Sequence, residues 1–366
     1  MVTTETESPS SPGPAEQAPG TRGAGVAPKA GPGGLTPLPE GVGGFSMAWY
    51  PVAMSDEVGP RDVVGRELFD GKVVVFRDGS GRAVVVSAFC RHLGADLSDG
   101  DVTDGCLRCP YHHWSYDETG RCVSTASGDR VPGTRRLFVF PTEERWGLVW
   151  AFNGTEPTFD VPGWPAPEEE ERHVTVRFLL DFGADPFQVP LNGVDLQHIR
   201  TLHDIHMDDF DLHEEIDGLH ADETGGEPDG RYAPMTRHAT FGTNTVVYSR
   251  TSTGIDTMIA GAPYRGRTRL YFVIGLVRSM FDEGSLDAVA AGHHEVAAGV
   301  AQEDAPIWDK IRFAADTLTA SDRLMAVYLR WFNRFPRAHP SQPFVRQRPP
   351  DDPDRAQAAR LPVNFS

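Results

Sequence analysis

The chain has 366 residues, 39% of them hydrophobic, which is enough for one large core or two domains. Its formal net charge of −18 argues against nucleic acid or an anionic membrane as a partner. No apolar run reaches membrane-spanning length, the N-terminus shows no signal-peptide core, and all four cysteines fall within one short segment; a cytoplasmic protein is expected.

Residues 1–44 are rich in Gly, Pro, Ala, Ser and Thr and hold few large apolar residues, so they are predicted to be disordered. Order is expected to begin near Met47. From 45 to about 155 the chain reads as short strands forming a small all-β domain. Runs at 72–77 and 82–89 flank Asp78-Gly79-Ser80-Gly81, a hairpin signal; 117–120 is a second tight turn, and the apolar run 146–150 is a closing strand.

A second domain is predicted over 156–340. The Pro-rich stretch 161–168 reads as a linker, 174–180 as a strand and 192–202 as helical. Residues 219–235, rich in Gly and Asp, read as a mobile loop. Longer strands are expected at 239–249, 254–260 and 268–277, followed by mostly helical chain from 304 to about 335. Strands followed by helices imply an α+β fold, with helices covering one face of an antiparallel sheet. Residues 341–366 read as an irregular tail.

The strongest chemical signal is Cys90-Arg91-His92, sixteen further residues, then Cys109-Pro110-Tyr111-His112. Two thiolates and two imidazoles on two short loops are what an asymmetric two-iron cluster needs, with cysteines on one iron and histidines on the other. Cys106-x-x-Cys109 also fits half of a zinc site completed by His112 or His113, or a redox dithiol. The near-parallel settings Cys90 to Ala95 and Cys109 to Trp114 resemble the Rieske motif. That resemblance implies a [2Fe-2S] cluster held by Cys90, His92, Cys109 and His112, leaving Cys106 and His113 outside. Ala95 and Tyr111 stand where the respiratory type carries a disulfide, so the pattern looks like the soluble ferredoxin and oxygenase branch. Tyr111 and Trp114 are expected to tune the cluster.

The second signal is Asp195-x-x-His198-x-x-x-x-His203, with a carboxylate to be supplied from further along. Two histidines and one carboxylate on one side of a metal leave the other positions open, which suits non-haem Fe(II). On an ideal helix two residues five apart lie about 140° apart, so both histidines reach one metal only if the helix ends or distorts near Arg200 to Leu202. His206 competes as a ligand and is expected beside the site or facing solvent. His293 and His294 read as exposed loop residues.

Together, residues 46–335 resemble the Rieske non-haem iron oxygenases, specifically their terminal oxygenase subunit. The cluster loop is similar to that of an arylamine-oxidising member, and the segments 302–308 and 330–332 to a steroid-oxidising branch. The resemblance implies a mononuclear Fe(II) held by His198, His203 and Asp304, the last preferred over Glu303 by its spacing to Trp308. It implies that Asp195 links a cluster histidine of one subunit to an iron-ligand histidine of the next in a head-to-tail homotrimer. O₂ and a small ring-containing substrate are implied as well. No nucleotide-binding G-x-G-x-x-G motif is present, so electrons are expected from a separate ferredoxin or NAD(P)H-dependent reductase. Hydroxylation, desaturation and arylamine N-oxygenation stay open, as does a Rieske electron carrier with no oxygenase activity.

Overall fold

The computed structural model describes residues 45–338 apart from 70, 131–132, 134, 165, 227–234, 251 and 313–316. The predicted disorder of 1–44 and the predicted tail 341–366 lie outside the described residues.

The N-terminal part is a small β-rich domain of three antiparallel sheets. Strands β1 (Phe45–Ser46), β2 (Trp49–Met54), β3 (Val64–Leu68), β4 (Gly71–Arg77) and β5 (Ala83–Ser87) come first. Then follow β6 (Asp101–Thr103), β7 (Cys106–Arg108), β8 (Ser115–Tyr116), β9 (Cys122–Ser124), β10 (Val139–Phe140), β11 (Thr142–Arg145) and β12 (Leu148–Phe152). The sheet orders are β10-β5-β4-β3, β11-β12-β2 and β6-β7-β8-β9. The β4–β5 hairpin turns where its Asp-Gly-Ser-Gly signal sits, because Asp78 Oδ1 accepts from the backbone N–H groups of Ser80 and Arg82. The β6–β7 turn packs against that hairpin tip. Gly105 has φ +73°, and a Cβ there would meet the Gly79 nitrogen at 2.3 Å, so only glycine fits.

The larger domain is built on one seven-stranded antiparallel sheet: β13 (Arg172–Phe182), β14 (His206–Glu214), β15 (Leu219–Gly226), β16 (Met235–Phe241), β17 (Thr245–Ser249), β18 (Ile255–Tyr264) and β19 (Arg267–Val277). Its order is β13-β19-β18-β17-β16-β15-β14. Helices α1 (Gln188–Gly193), α2 (Leu196–Leu202), α3 (Leu286–Trp308) and α4 (Arg323–Arg334) accompany it, and β20 (Arg337–Ala338) returns to pair with β1.

Period-two alternation divides the sheet between two neighbours. Val247, Met258, Ala260, Tyr271 and Val273 face an aromatic seam with Trp49, Trp146, Trp150 and Trp164, which joins the two domains. Their odd-and-even partners Val246, Ile259, Leu270 and Phe272 face the opposite way, toward the helices and a cavity. α3 packs across β13 and β19, where Phe272, Ile274 and Leu276 meet Leu286 and Ala290.

Several expected elements differ in the structure. The run 146–150 is not one strand, since Trp146 (φ 57°) and Gly147 (φ 72°) form the turn into β12. The expected helix 192–202 is two short helices, interrupted where the Asp195 side chain caps α2 by accepting from Gln197 N–H and His198 N–H. The expected strand 239–249 is a hairpin whose turn holds Asn244, its amide donating to the Trp49 and Gly261 carbonyls. Of the predicted loop 219–235, residues 219–226 are the strand β15, paired on both sides. Residues 286–303, for which no helix was predicted, form most of α3. His293 and His294 therefore sit on a helix, and His294 is buried at 2% exposure with its Nε2 3.0 Å from the Thr175 hydroxyl.

Candidate active site

Two sites emerge, one in each domain. In the small domain the loop after β5 and the loop between β7 and β8 have the same backbone hydrogen bonding. Cys90 N–H donates to Ala95 O, and Gly94 N–H donates back to Cys90 O, both at 2.9 Å. Cys109 N–H donates to Trp114 O at 2.9 Å, and His113 N–H donates back to Cys109 O at 3.1 Å. Each loop closes on a left-handed residue four after its cysteine, Gly94 (φ 78°) and His113 (φ 54°). His113 is thereby committed to turning the chain.

These two loops bring their side chains together. Cys90 and Cys109 are buried, and burial, with a smaller contribution from Cys109, holds the Cys90 thiol up. The His92 and His112 rings lie beside each other at the tip, with centroids 4.7 Å apart. Buried sulfurs at one end and accessible imidazoles at the other match the donor set of an asymmetric two-iron cluster. Trp114 stacks on His92 at 4.5 Å, while Tyr111 is 64% exposed and packs on His112. The group that reaches a sulfur of this pair is Tyr116, missed in the sequence: its hydroxyl is 3.1 Å from Cys90 Sγ and accepts from Arg91 N–H at 3.0 Å. Cys106 stands on β7, where burial and then Asp117, Glu118 and Asp104 push its thiol up. A redox dithiol needs the opposite shift.

In the large domain, His198, His203 and Asp304 each offer one ligand atom, all within 4.8 Å of one another. α2 ends at Leu202 with His203 as its C-cap, the chain turns away at Asp204 (φ 57°), and the His203 ring meets that of His198 at 5.2 Å and 86°. Asp304, from the last turns of α3, places Oδ1 3.2 Å from His203 Nε2 and 3.9 Å from His198 Nε2.

Each histidine is oriented by a bond on its other nitrogen. His198 Nδ1 lies 2.8 Å from the Asp195 carbonyl oxygen, and His203 Nδ1 lies 2.9 Å from Glu303 Oε2. This leaves both Nε2 atoms directed at the centre, and buried His203 Nε2 has no hydrogen bond among the described residues. Burial pushes His198 below the ordinary imidazole range, against the pull of Asp304. For His203 burial also acts downward, but Asp304 and Glu303 outweigh it and hold the imidazole up. Two oriented imidazoles with one carboxylate fit a divalent iron.

Two further residues bear on this centre. Glu303, the rival ligand in the sequence, points instead at the outer nitrogen of His203. Asn192, which no spacing had singled out, has its amide nitrogen 3.0 Å from His198 Nε2 and 3.2 Å from Asp304 Oδ2. His206 is exposed at the start of β14.

The triad opens into a cavity of about 480 Å³ between the sheet and α3. Its walls are largely apolar, with Leu179, Val246, Ile259, Leu270 and Phe272 from the sheet and Val300 and Ala301 from α3.

Residues 48–137 match the family model of the Rieske [2Fe-2S] domain. Over 181 residues the chain is 33% identical to aminopyrrolnitrin oxygenase of Pseudomonas fluorescens, covering 46% of this chain and 48% of that protein. It is 31% identical over 141 residues to the oxygenase component of 3-ketosteroid-9-alpha-monooxygenase of Rhodococcus rhodochrous, covering 38% and 34%. The match thus spans about half or less of the length of these curated relatives. Among solved structures, dicamba monooxygenase superposes with a TM-score of 0.63 at 19% identity, covering 80% of this chain and 98% of that one. The terminal oxygenase of carbazole 1,9a-dioxygenase from Novosphingobium sp. KA1 gives 0.62 at 18%, covering 80% and 93%. The small domain is a Rieske domain. With the fold and the iron triad of the second domain, the chain is related to the terminal oxygenase subunits of the Rieske non-haem iron oxygenases.

Proposed function

We propose that the chain is the terminal oxygenase of a multicomponent system that uses O₂ and externally supplied electrons to oxidise a small, ring-containing organic substrate. The observation that carries this is the open His198–His203–Asp304 triad at the end of an apolar cavity, in a chain that also carries a Rieske domain. An electron carrier has no use for such a cavity. The relatives that act on an arylamine and on a ketosteroid support a ring-containing substrate, with hydroxylation, desaturation and N-oxygenation as the outcomes to separate.

Cys90, His92, Cys109 and His112 would hold the cluster and His198, His203 and Asp304 the iron. When bound, these groups supply one-electron transfer and dioxygen activation; the chain supplies geometry and a water-poor cavity. Asp195 and Glu303 orient the two iron-facing imidazoles. The exposed cluster tip carries Leu93 and Tyr111, 67% and 64% exposed, an apolar surface suited to docking. That surface supports a homotrimer in which Asp195 of one subunit receives a cluster histidine of the next. A separate ferredoxin or NAD(P)H-dependent reductase would charge the cluster. No helix among the described residues is long and apolar enough to cross a membrane, and all four cysteines are free, which suits a reducing cytoplasm.

Iron analysis tests the assignment: about three irons per chain for the oxygenase against two for a carrier. His198→Ala should lower that count by about one and abolish incorporation of ¹⁸O₂ into product, with the cluster's visible absorption intact. Full oxygenation by this variant would overturn the assignment.

A further inference from the structure

A second group of metal-ligating side chains stands on the large sheet, apart from the triad. The ladder sets Asp211, Asp222 and His238 opposite one another across β14, β15 and β16, and beside them His213, His220 and Thr240. Period-two alternation puts all six on one face. Thr240 pairs onward with Val247, so this is the face of the aromatic seam, opposite the cavity.

Four side chains here form one continuous line of contacts. Asp222 Oδ1 lies 3.1 Å from His238 Nδ1, His238 Nε2 lies 3.2 Å from His220 Nδ1, and His220 Nε2 lies 3.1 Å from Asp217 Oδ1. Asp217 comes from the turn between β14 and β15, which closes with Glu215 N–H donating to Gly218 O at 2.9 Å. His213 stacks on the His220 ring with centroids 5.6 Å apart.

A carboxylate only accepts, so His238 Nδ1 and His220 Nε2 each donate to their aspartate. A neutral imidazole has one N–H, and the two nitrogens that face each other therefore both present lone pairs. Thr240 Oγ1, 3.3 Å from His220 Nδ1, has a single O–H and serves at most one of them. Two lone pairs at 3.2 Å call for one cation between them, a shared proton or a metal ion.

The surroundings select the metal. Two nitrogens bound at about 2.0–2.1 Å to a tetrahedral Zn²⁺ are themselves about 3.3 Å apart, close to the spacing of this pair. A carboxylate on the outer nitrogen is the regular support of a metal-ligating histidine, and both imidazoles have one. Asp211, opposite Asp222, adds a further carboxylate, and a divalent ion offsets this negative balance further than a proton does. The His238 side chain is 39% exposed, so an ion can enter from solvent. No third His, Cys, Asp or Glu among the described residues brings a ligand atom within 4.8 Å of both nitrogens.

We propose that His220 Nδ1 and His238 Nε2 hold a Zn²⁺ ion at a second, structural metal site, with water completing its coordination. Asp217 and Asp222 orient the two imidazoles. The ion ties β15 to β16, the strand that carries Thr236 and Arg237 into the cavity wall. The site stands on its own geometry, independent of the oxygenase assignment.

The test is dialysis of the tag-free, iron-loaded full chain against micromolar Zn²⁺, with zinc and iron counted together by mass spectrometry. The wild type should retain about one zinc more per chain than His238→Gln, at an unchanged iron count. X-ray absorption at the zinc edge should show imidazole nitrogens at about 2.0 Å. Asp217→Asn should weaken zinc binding about 10–100-fold. A wild type that retains no zinc holds only a shared proton, and this overturns the proposal without any variant. Zinc gained only as iron is lost places the ion at the triad and overturns it as well. So does a folded His238→Gln chain that retains as much zinc as the wild type.

Discussion

Removing one hydroxyl, Tyr116→Phe, isolates how the small domain sets its cluster's potential. Tyr116 is fully buried and its oxygen lies 3.1 Å from Cys90 Sγ. Arg91 N–H already donates to that oxygen, and a thiolate ligand carries no proton, so the phenol must donate to the sulfur. Burial, then the neighbouring Cys90, keeps the phenol protonated far above its ordinary range. A hydrogen bond to a charged group is worth about 1.5–3 kcal/mol. The part that distinguishes the reduced cluster, more negative by one electron, is on the order of 1–2 kcal/mol, and 1.4 kcal/mol corresponds to about 59 mV for one electron. Tyr116→Phe should therefore lower the potential by roughly 40–90 mV. Spectroelectrochemical titration of the visible bands measures it directly. A shift smaller than about 15 mV, or any rise, would refute the assignment of Tyr116 as a donor to the cluster sulfur.

Glu303→Gln keeps an acceptor for His203 Nδ1 and removes its charge; iron should then be lost to a chelator at about tenfold lower concentration, with cluster absorption unchanged. Asp256→Ala leaves the fully buried Arg172 guanidinium without its carboxylate and should cost about 3–5 kcal/mol in urea unfolding. His294 is pushed down to about 4 by burial and by Arg177 and His293. The unfolded chain takes up its proton near pH 6.5 and the folded chain near 4, so stability is complete above 6.5 and falls as pH drops between them. The slope from this one group is at most about 1.4 kcal/mol per pH unit. His294→Gln should flatten that part of the stability profile, and an unchanged profile would show that His294 titrates alike in both states.

What could be read from the sequence was what lies close along the chain. Cys90 to Ala95 and Cys109 to Trp114 are self-contained loops, so in each six consecutive residues carry both the proposed ligands and the turn that presents them. The α+β order of strands before helices was legible for the same reason. α3 was missed over more than three-quarters of its length because 286–303 mixes small residues with Gly292 and Gly299, giving little apolar periodicity to read. The 219–226 strand was missed because Gly and Asp populate a strand whose ladder is completed on both sides by neighbours.

Residues that act across the sheet or across elements had no local signal. Tyr116 reaches Cys90 from twenty-six residues away, and Asn192 meets Asp304 only because α1 and α3 converge. The helix argument, by contrast, reached the iron centre from the sequence: residues five apart cannot share a helical face, so the helix had to stop between His198 and His203. It stops at Leu202, and the cap that starts it is Asp195. One aspartate therefore fixes where α2 begins, through its side chain, and how His198 is turned, through its carbonyl. Asp195→Asn preserves both bonds, so any loss of electron delivery in that variant, with iron content and fold retained, would come from the lost charge and from a contact outside this chain.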